Sequence, residues 1–409
     1  MRLMPSLLWI WRLFRFSFVS LPYFYFAVFP GLIATMGLLW AKFRRSALDR
    51  STNRILLLIT GLLWLSSLFA ADRGEAFLQL ANFYPYLLLF SVLPYLLRGS
   101  EPLVRLASDL VIAAIPINLM AGLEYLLRAP GIPPWLRRTE LSRWFRARPH
   151  KERAMVMFGH PNALAAFLVL VLGLGLGLIL YHRSRQSQPI EPEHFPASQL
   201  EIGLINFGTL ACLLGIFASG SRNGLLVALS QILIFSLFTR ASRITLGLGV
   251  LGLIAAVGWL GIGGRNLTEI DWANDPRLGV WRFAWNLLIQ RPWLGWGLGN
   301  FKLQYPPGLI PDYRYIAHPH NFWLLLAVEA GIPVLLLFCA LVGPICYRAV
   351  RRLLSLKPSP ERALLLAYLL SFWGCLAFAL FDVTFYDARI NAVNWVVLAG
   401  VYGVGRWGR

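Results

Sequence analysis

Long apolar runs constrain the fold of this chain more than any other feature of its sequence. A helix that crosses about 30 Å of hydrocarbon needs roughly 20 residues, and the runs that reach or approach this length are 18–40, 54–70, 77–97, 103–127, 160–181, 203–220, 223–239, 244–262, 320–347, 363–381 and 389–405. They are continuous, without the alternation of a membrane strand, so helices are expected and not a barrel. The sequence predicts an all-α, polytopic membrane helical bundle of 11–12 transmembrane helices.

Residues 4–17 decide whether the bundle has 11 or 12 transmembrane helices. They are apolar but are interrupted by Arg12 and Arg15, so they form either a twelfth span packed tightly against the next or a helix at the membrane interface. Charged residues make up only 14% of the 409 positions and hydrophobic residues 57%, whereas soluble domains carry roughly a quarter charged residues. We interpret 1–409 as a single membrane domain with two outer excursions.

The net charge of +19 describes the loops of such a protein and not a nucleic-acid-binding face. Basic residues cluster in the short loops 42–54, 240–243 and 348–362, which the positive-inside rule places in the cytoplasm. Counting spans from these loops puts the Ser219–Arg222 turn and the Asp382–Asp387 turn on the outer side. The protein is expected in the plasma (inner) membrane with those turns facing the periplasm or cell exterior.

One outer loop, 128–159, breaks the positive-inside rule. Its charged residues are mostly basic: Arg128, Arg137, Arg138, Arg143, Arg146, Arg148, Lys151 and Arg153, against Glu140 and Glu152. A basic loop at this face can attract anionic lipid headgroups or a pyrophosphate. The alternative is a solvated amphipathic helix without a ligand.

The second outer loop, 263–319, is predicted to carry an amphipathic helix that lies on the membrane. Asn274-Asp275-Pro276 offers an N-cap followed by a first-turn proline, Arg277 and Arg282 form a polar edge, and apolar residues recur at helical spacing: Leu278, Trp281, Trp285, Leu288 and Ile289. A glycine-punctuated aromatic segment follows at 293–301. Its amides could hold a phosphate, but spaced glycines alone are weak support for such a site.

Several polar residues lie where predicted spans meet the outer side. Arg222 sits in a turn between two apolar runs, where an arginine costs free energy unless it is paired, faces water or snorkels to headgroups. For Phe158–Asn162, which opens the fifth span, a structural role is favoured, because Asn162 can bond to nearby backbone. Glu124 and Asp382 can orient a histidine or pair with an arginine, and ion pairing is the simpler interpretation of both.

Two histidines, His318 and His320, stand at the start of the run 320–347. A neutral histidine can take a proton from a hydroxyl group near pH 7, and arginine binds phosphate oxygens in a bidentate manner. Histidines and arginines together suit an anionic substrate. A transporter would instead place its ionisable residues near the midplane of the membrane. The sequence indicates neither a metal-ligand cluster nor a cofactor.

These residues resemble the O-antigen ligase and polymerase superfamily, which comprises membrane glycosyltransferases that use polyprenyl-diphosphate-linked glycans at the outer face of the plasma membrane. His320-Asn321, nine residues and then Gly331-Ile332-Pro333 is similar to the family's ligase signature. Three further segments resemble its motifs: the Ser-Arg turn at 219–222, the outer-loop pattern of Arg277, Trp281 and 292–301, and the Gly-x-Pro-Asn pattern at 158–162. The resemblance covers about residues 55–405.

The resemblance implies an inverting glycan transfer that is independent of metals. Arg222 and Arg277 would hold the pyrophosphate of the donor, and His320 would act as general base on the acceptor hydroxyl. His318 would be a second candidate base or a partner of His320. The candidate substrate-binding residues are His318, Arg282, Asn321 and Asn162. The implied partners are a polyprenyl-diphosphate-linked glycan donor, a glycolipid or saccharide acceptor, and membrane lipids.

Three functions stay open at this point. A ligase moves a lipid-linked glycan onto a lipid or saccharide, as in lipopolysaccharide biosynthesis, and an O-antigen-type polysaccharide polymerase joins repeat units. One branch of the superfamily is labelled as bicarbonate transporters, so inorganic-carbon transport is the alternative from another class. The scarcity of charged residues at predicted midplane positions argues against transport.

Overall fold

The regular structure of this protein is helical wherever the chain is described. A computed structural model describes residues 5–48, 50–128, 133–150, 153–186, 198–239, 247, 251, 276–308 and 315–405. We number its helices in chain order: α1 Pro5–Ser20, α2 Tyr25–Leu48, α3 Ser51–Leu68, α4 Arg73–Gln79, α5 Tyr84–Leu96, α6 Ser100–Arg128, α7 Pro134–Arg137, α8 Glu140–Arg146, α9 Pro161–Gln186, α10 Gln199–Ala218, α11 Arg222–Ser236, α12 Pro276–Gln290, α13 Phe301–Gln304, α14 Phe322–Ala330, α15 Ile332–Ser355, α16 Pro360–Phe378 and α17 Ala388–Val404.

Eight helical stretches of the described residues are long and apolar enough to cross a membrane: Tyr25–Leu48, Ser51–Leu68, Arg73–Leu96, Ser100–Arg128, Pro161–Gln186, Gln199–Ala218, Ile332–Ser355 and Pro360–Phe378. Arg222–Ser236 is apolar but shorter. The prediction of an all-α, polytopic membrane protein is confirmed. The predicted span 244–262 lies outside the described residues, so the total of 11–12 stays a prediction.

The first helix packs into the bundle. Phe14 and Phe18 on α1 are fully buried, and α1 contacts both α2 and α6. Arg15 donates hydrogen bonds to the carboxylate of Asp109 on α6, which satisfies a charge that would otherwise be costly in an apolar helix. These contacts favour the tightly packed hairpin partner over a helix that lies alone at the interface.

The centre of the bundle is α9, which contacts α6, α10, α11, α16 and α17. Glycines allow its neighbours to approach closely. A Cβ atom on Gly173 would lie 2.3 Å from the backbone nitrogen of Ser371 on α16, and one on Gly177 would lie 2.3 Å from the Cα atom of Ala367. Gly175 faces Thr209 of α10 in the same way. These three glycines therefore allow α9 to pack closely against α10 and α16.

The predicted continuous span 320–347 is wrong, because the helix breaks at Gly331. This residue has φ 88° and ψ 162°, a conformation that favours glycine, and α14 ends before it while α15 begins after it. A loop fills the break: the N–H groups of Trp296 and Gly297 donate to the carbonyls of Val328 and Glu329. A broken helix is tolerated in a membrane protein when other segments satisfy its backbone groups.

The predicted amphipathic helix is present as α12, and one of its sides packs against the bundle. Val280, Ala284, Leu287 and Leu288 are buried, and α12 packs against α14. Trp285 and Ile289 are 57% and 61% exposed. Two apolar rows therefore run along this helix. The row that contains the small residue Ala284 is buried against the bundle, and the row that contains Trp285 and Ile289 is more exposed. The predicted N-cap, Asn274-Asp275, lies outside the described residues.

We expect Gly177→Ala to destabilise the protein, because the new methyl group would overlap the backbone of α16. Overpacking costs about 1–3 kcal/mol, more than the helix-propensity gain of about 1 kcal/mol. Gly61→Ala on α3 is the matched control, since nothing lies within 4 Å of a Cβ atom there. Thermal unfolding in detergent should show a lower midpoint for Gly177→Ala only. Equal midpoints for the two variants would contradict the close packing of α9 and α16.

Candidate functional site

The His318–Asn321 segment is held in place by three helices. Trp281 of α12 donates its indole N–H to the carbonyl of Pro319 at 2.7 Å, and the N–H of Phe322 donates to the carbonyl of Ala379 just after α16. Asn321 caps α14 by accepting from the N–H of Leu324. This contact gives Asn321 a structural role, and its predicted substrate contact stays a prediction.

His320 itself has a strained backbone. Its φ of 50° lies in the left-handed region, which is uncommon for residues other than glycine and is found often at functional sites. The anchors on both sides of it, at Pro319 and Phe322, fix this conformation. The position of the imidazole is therefore set by the fold and not by a free loop.

The imidazole of His320 pairs with Asp382, which follows α16. Nδ1 of His320 and Oδ1 of Asp382 are 3.3 Å apart, and the two side chains are 35% and 12% exposed. Burial raises the pKa of the Asp382 carboxyl group, but the hydrogen bonds from the side chains of His320 and Asn162 favour the ionised form, and this pKa lies below its usual range. Asp382 is thus an ionised acceptor that can fix the tautomer of His320 and direct Nε2 to proton transfer.

Two more side chains extend this pair into a network. The amide nitrogen of Asn162 donates to Oδ2 of Asp382 at 2.7 Å, and Oδ1 of Asn162 accepts from Arg153 at 2.8 Å. We call His320, Asp382, Asn162 and Arg153 the His320 network. Asn162 binds side chains in this network and so does more than the backbone bonding that its position at the start of α9 suggests.

The network reaches the turn that carries Arg222. Nε of Arg153 donates to the carbonyl of Ser219 at 3.0 Å, and the N–H of Ala154 donates to the carbonyl of Ala218. Ser221 caps α11 by accepting from the N–H of Gly224, so Arg222 is the first residue of that helix and is half-buried. The predicted Ser-Arg turn therefore lies directly against the residue that anchors Asn162.

The prediction that Arg277 and Arg282 form one polar edge is wrong, because the two arginines lie on different sides of α12. Arg277 is half-buried and precedes Trp281 by four residues, a spacing that places both on one face. Because Trp281 contacts Pro319, that face is the one next to the histidines. Arg282 is exposed and lies about 100° around the helix from Trp281. The catalytic or binding roles of Arg222, Arg277 and Arg282 stay predictions.

His318 lies beside His320 as a second imidazole. The ring centroids are 4.6 Å apart, and Nδ1 of His318 accepts from the backbone N–H of His320 at 3.3 Å. Burial lowers the pKa of His318 to about 4, so this imidazole is neutral at pH 7. Ligand atoms of His318, His320 and Asp382 all lie within 4.8 Å of one another. These residues could hold a metal ion, a possibility that the sequence did not indicate.

The basic outer loop is folded around a buried ion pair. Glu124 and Arg128 of α6 are 3.0 Å apart, with side chains 0% and 2% exposed. Arg128 donates to the carbonyls of four loop residues, at 148, 149, 150 and 153, while Glu124 accepts from the N–H groups of Met155 and Val156. The predicted ion pairing of Glu124 is confirmed. This ion pair fixes the backbone of the loop in the conformation that allows Arg153 to contact Asn162.

The glycine-rich segment after α12 is occupied by structural contacts. Glu329 of α14 is buried and accepts from the N–H of Phe301 and the hydroxyl of Tyr386. Since the amides of Trp296 and Gly297 also donate to α14, we assign this segment to packing and not to phosphate binding. Sequence reasoning missed Glu329, although an acidic residue inside an apolar run is itself a signal.

Comparison with known proteins supports the resemblance seen in the sequence. Residues 207–339 match the family described as O-antigen ligase, and this region includes Arg222, Arg277 and His320. Two relatives named as polysaccharide ligases are 34% identical over 110 residues, in Rickettsia prowazekii (strain Madrid E) and Rickettsia typhi (strain ATCC VR-144 / Wilmington). Another from Rickettsia conorii (strain ATCC VR-613 / Malish 7) is 26% identical over 147 residues.

These matches cover part of each chain. The 34% matches span 24% of this chain and 26% of the relative, and the 26% match spans 33% and 34%. The alignments thus span about a quarter to a third of the length of the relatives. They confirm the predicted resemblance to the O-antigen ligase superfamily, while Asn162 and Asp382 lie outside the region of the family match.

We expect Glu124→Gln to loosen the basic outer loop, because it leaves Arg128 buried without a countercharge. Breaking a buried ion pair costs about 3–5 kcal/mol. Glu140→Gln is the matched control on the same loop, since Glu140 is 84% exposed in a surface pair with Arg143. Trypsin should cleave after Arg153, which precedes Ala154, faster in Glu124→Gln than in the control. Equal cleavage rates would show that the pair does not hold the loop.

Proposed function

We propose that this protein, whose residues 207–339 match the O-antigen ligase family, is an inverting glycosyltransferase of the ligase type. It transfers a polyprenyl-diphosphate-linked glycan to a glycolipid or saccharide acceptor at the outer face of the plasma membrane. The observation that carries the proposal is the pairing of His320 with Asp382 in a network that contacts the Ser219–Arg222 turn. The side chains of Asp382, Asn162 and Arg153 thereby link the proposed base, His320, to the turn that carries Arg222.

The reaction begins with proton removal from the acceptor. Nε2 of His320 takes the proton of the acceptor hydroxyl, and the oxygen attacks the anomeric carbon from the face opposite the diphosphate. A bond forms between the acceptor oxygen and that carbon, while the bond from the carbon to the diphosphate oxygen breaks. The electron pair of the broken bond stays on the polyprenyl diphosphate, and His320 later releases its proton to water. Configuration at the anomeric carbon is inverted.

Charge stabilisation is divided between two groups of residues. Asp382 stabilises the imidazolium that forms on His320, because it is ionised and 3.3 Å away. Arg222 and Arg277 meet the charge that grows on the leaving diphosphate, which guanidinium groups bind in a bidentate manner. With two arginines in this role, the proposed reaction needs no metal ion as a Lewis acid.

The substrate would reach this site from the membrane. Polyprenyl chains are apolar and diphosphates are anionic, so the donor needs a site at the boundary between lipid and water. The basic outer loop fits that boundary, since Trp135 and Trp144 are 70% and 53% exposed beside exposed arginines at 138, 143 and 146. Exposed tryptophan and arginine are typical of residues at headgroup depth. This loop is our candidate contact with membrane lipids.

We expect His320→Ala, Arg222→Ala and Arg277→Ala each to reduce glycan transfer by about 10²–10⁴-fold, as loss of a general base or of an electrostatic contact does. The measurement is the amount of mature surface glycan and of lipid-linked donor in a deletion strain that carries each variant. Donor should accumulate while transferred glycan falls by that factor. Arg351→Ala is the control, because Arg351 is an exposed residue near the end of α15, in the basic segment predicted to face the cytoplasm.

Three results would contradict this account. Normal surface glycan in His320→Ala and Arg222→Ala would remove the proposed enzyme, and uptake of bicarbonate by proteoliposomes that contain only this protein would replace it with transport. Retention of single transferred units in the deletion strain would identify a polymerase instead of a ligase. A ligase deletion transfers none.

A further inference from the structure

We propose that His318, His320 and Asp382 form a binding site for a divalent transition-metal ion such as Zn²⁺, and that an ion bound there blocks glycan transfer. Each residue offers one ligand atom, and these atoms lie within 4.8 Å of one another. Ligands in a tetrahedral zinc site lie about 3.3 Å apart, given metal–ligand distances of about 2.0–2.2 Å. Small side-chain rotations therefore suffice to close the three groups around an ion.

The donor set selects the kind of metal. Two imidazoles and one carboxylate are the ligands of many catalytic zinc sites, in which water takes the fourth position. The same set suits other late first-row ions such as Co²⁺. Mg²⁺ prefers six oxygen ligands in octahedral geometry, so it should not compete.

The surrounding structure holds the ligands in place. Histidines at 318 and 320 flank Pro319, whose carbonyl is fixed by Trp281, and the ring centroids are 4.6 Å apart. Asp382 approaches from the turn after α16, and Asn162 donates to its second carboxylate oxygen. Such outer contacts orient metal ligands and strengthen binding. The side chain of His320 is 35% exposed, which gives an ion access from water.

An ion in this site would compete with the reaction. It would coordinate the imidazole that serves as base and neutralise the carboxylate that stabilises the imidazolium. This inhibitory effect rests on the proposed function of His320, whereas metal binding itself does not. Arg153 bonds to Asn162, which in turn bonds to Asp382. The positive charge of Arg153 therefore weakens the binding of a metal cation at Asp382. The site is therefore suited to reversible inhibition more than to a tightly held cofactor.

The direct test is titration of the full-length protein in nanodiscs with Co²⁺ after treatment with a chelator. Bound Co²⁺ should give the visible absorption of a four-coordinate site, and Zn²⁺ should displace it. His318→Ala and Asp382→Asn should each weaken binding more than about tenfold. His150→Ala is the matched control, because His150 pairs with His160 and is outside the three-residue group. Size-exclusion profiles identify any variant that fails to fold.

The outcomes separate this inference from the proposed function. Equal Co²⁺ affinity in all four proteins, or no binding at all, would overturn the metal site even if His320→Ala abolishes transfer. Binding that depends on His318 and Asp382, with transfer that Zn²⁺ inhibits and a chelator restores, would support the inference in full. Site-specific binding without inhibition would overturn the inhibitory role, and the test of His320 as base would stay the transfer activity of His320→Ala.

Discussion

The arrangement of this site depends on the contact between His320 and the ionised carboxylate of Asp382. Charge in an apolar bundle is costly unless it is paired and hydrogen-bonded, and Asp382 is satisfied by His320, by Asn162 and by the N–H of Val383. These bonds join the segment before α14, the turn after α16 and the start of α9. Removing His320 or Asn162 would take away one of the bonds that satisfy the buried carboxylate, so the network fixes the site as a unit.

A second constraint shapes the approach to this site. The chain breaks a membrane-spanning run at Gly331 and fills the break with the loop that follows α12. Because that loop is fixed to Val328 and Glu329, α12 is held against α14 and Trp281 reaches Pro319. The loop that fills the break therefore fixes α12, which carries Arg277, next to the segment that carries His318 and His320. An unbroken helix over 320–347 would offer no such attachment.

Hydrophobic pattern and motif order were enough to predict much of this protein. The lengths of the apolar runs predicted the helical membrane fold. The motifs predicted His320, Arg222 and Arg277 as site residues, and all three lie in the region 207–339 that matches the family. The sequence could not give side-chain partners between distant segments: Asp382 was interpreted as a simple ion pair, and Arg153 was one basic residue among eight in its loop. The break at Gly331 was missed because hydrophobicity continues across it.

The pH dependence of glycan transfer by Asp382→Asn tests the central claim most directly. Asparagine keeps the shape and the bond from Asn162 but cannot stabilise a protonated imidazole, so we predict a rate about 10²–10⁴-fold lower and an acidic limb displaced to lower pH. Asp387→Asn is the control, since Asp387 caps α17 and pairs with Arg389 in the same turn. A lower rate with an unmoved acidic limb would contradict the account, because it would show that Asp382 only supports the fold.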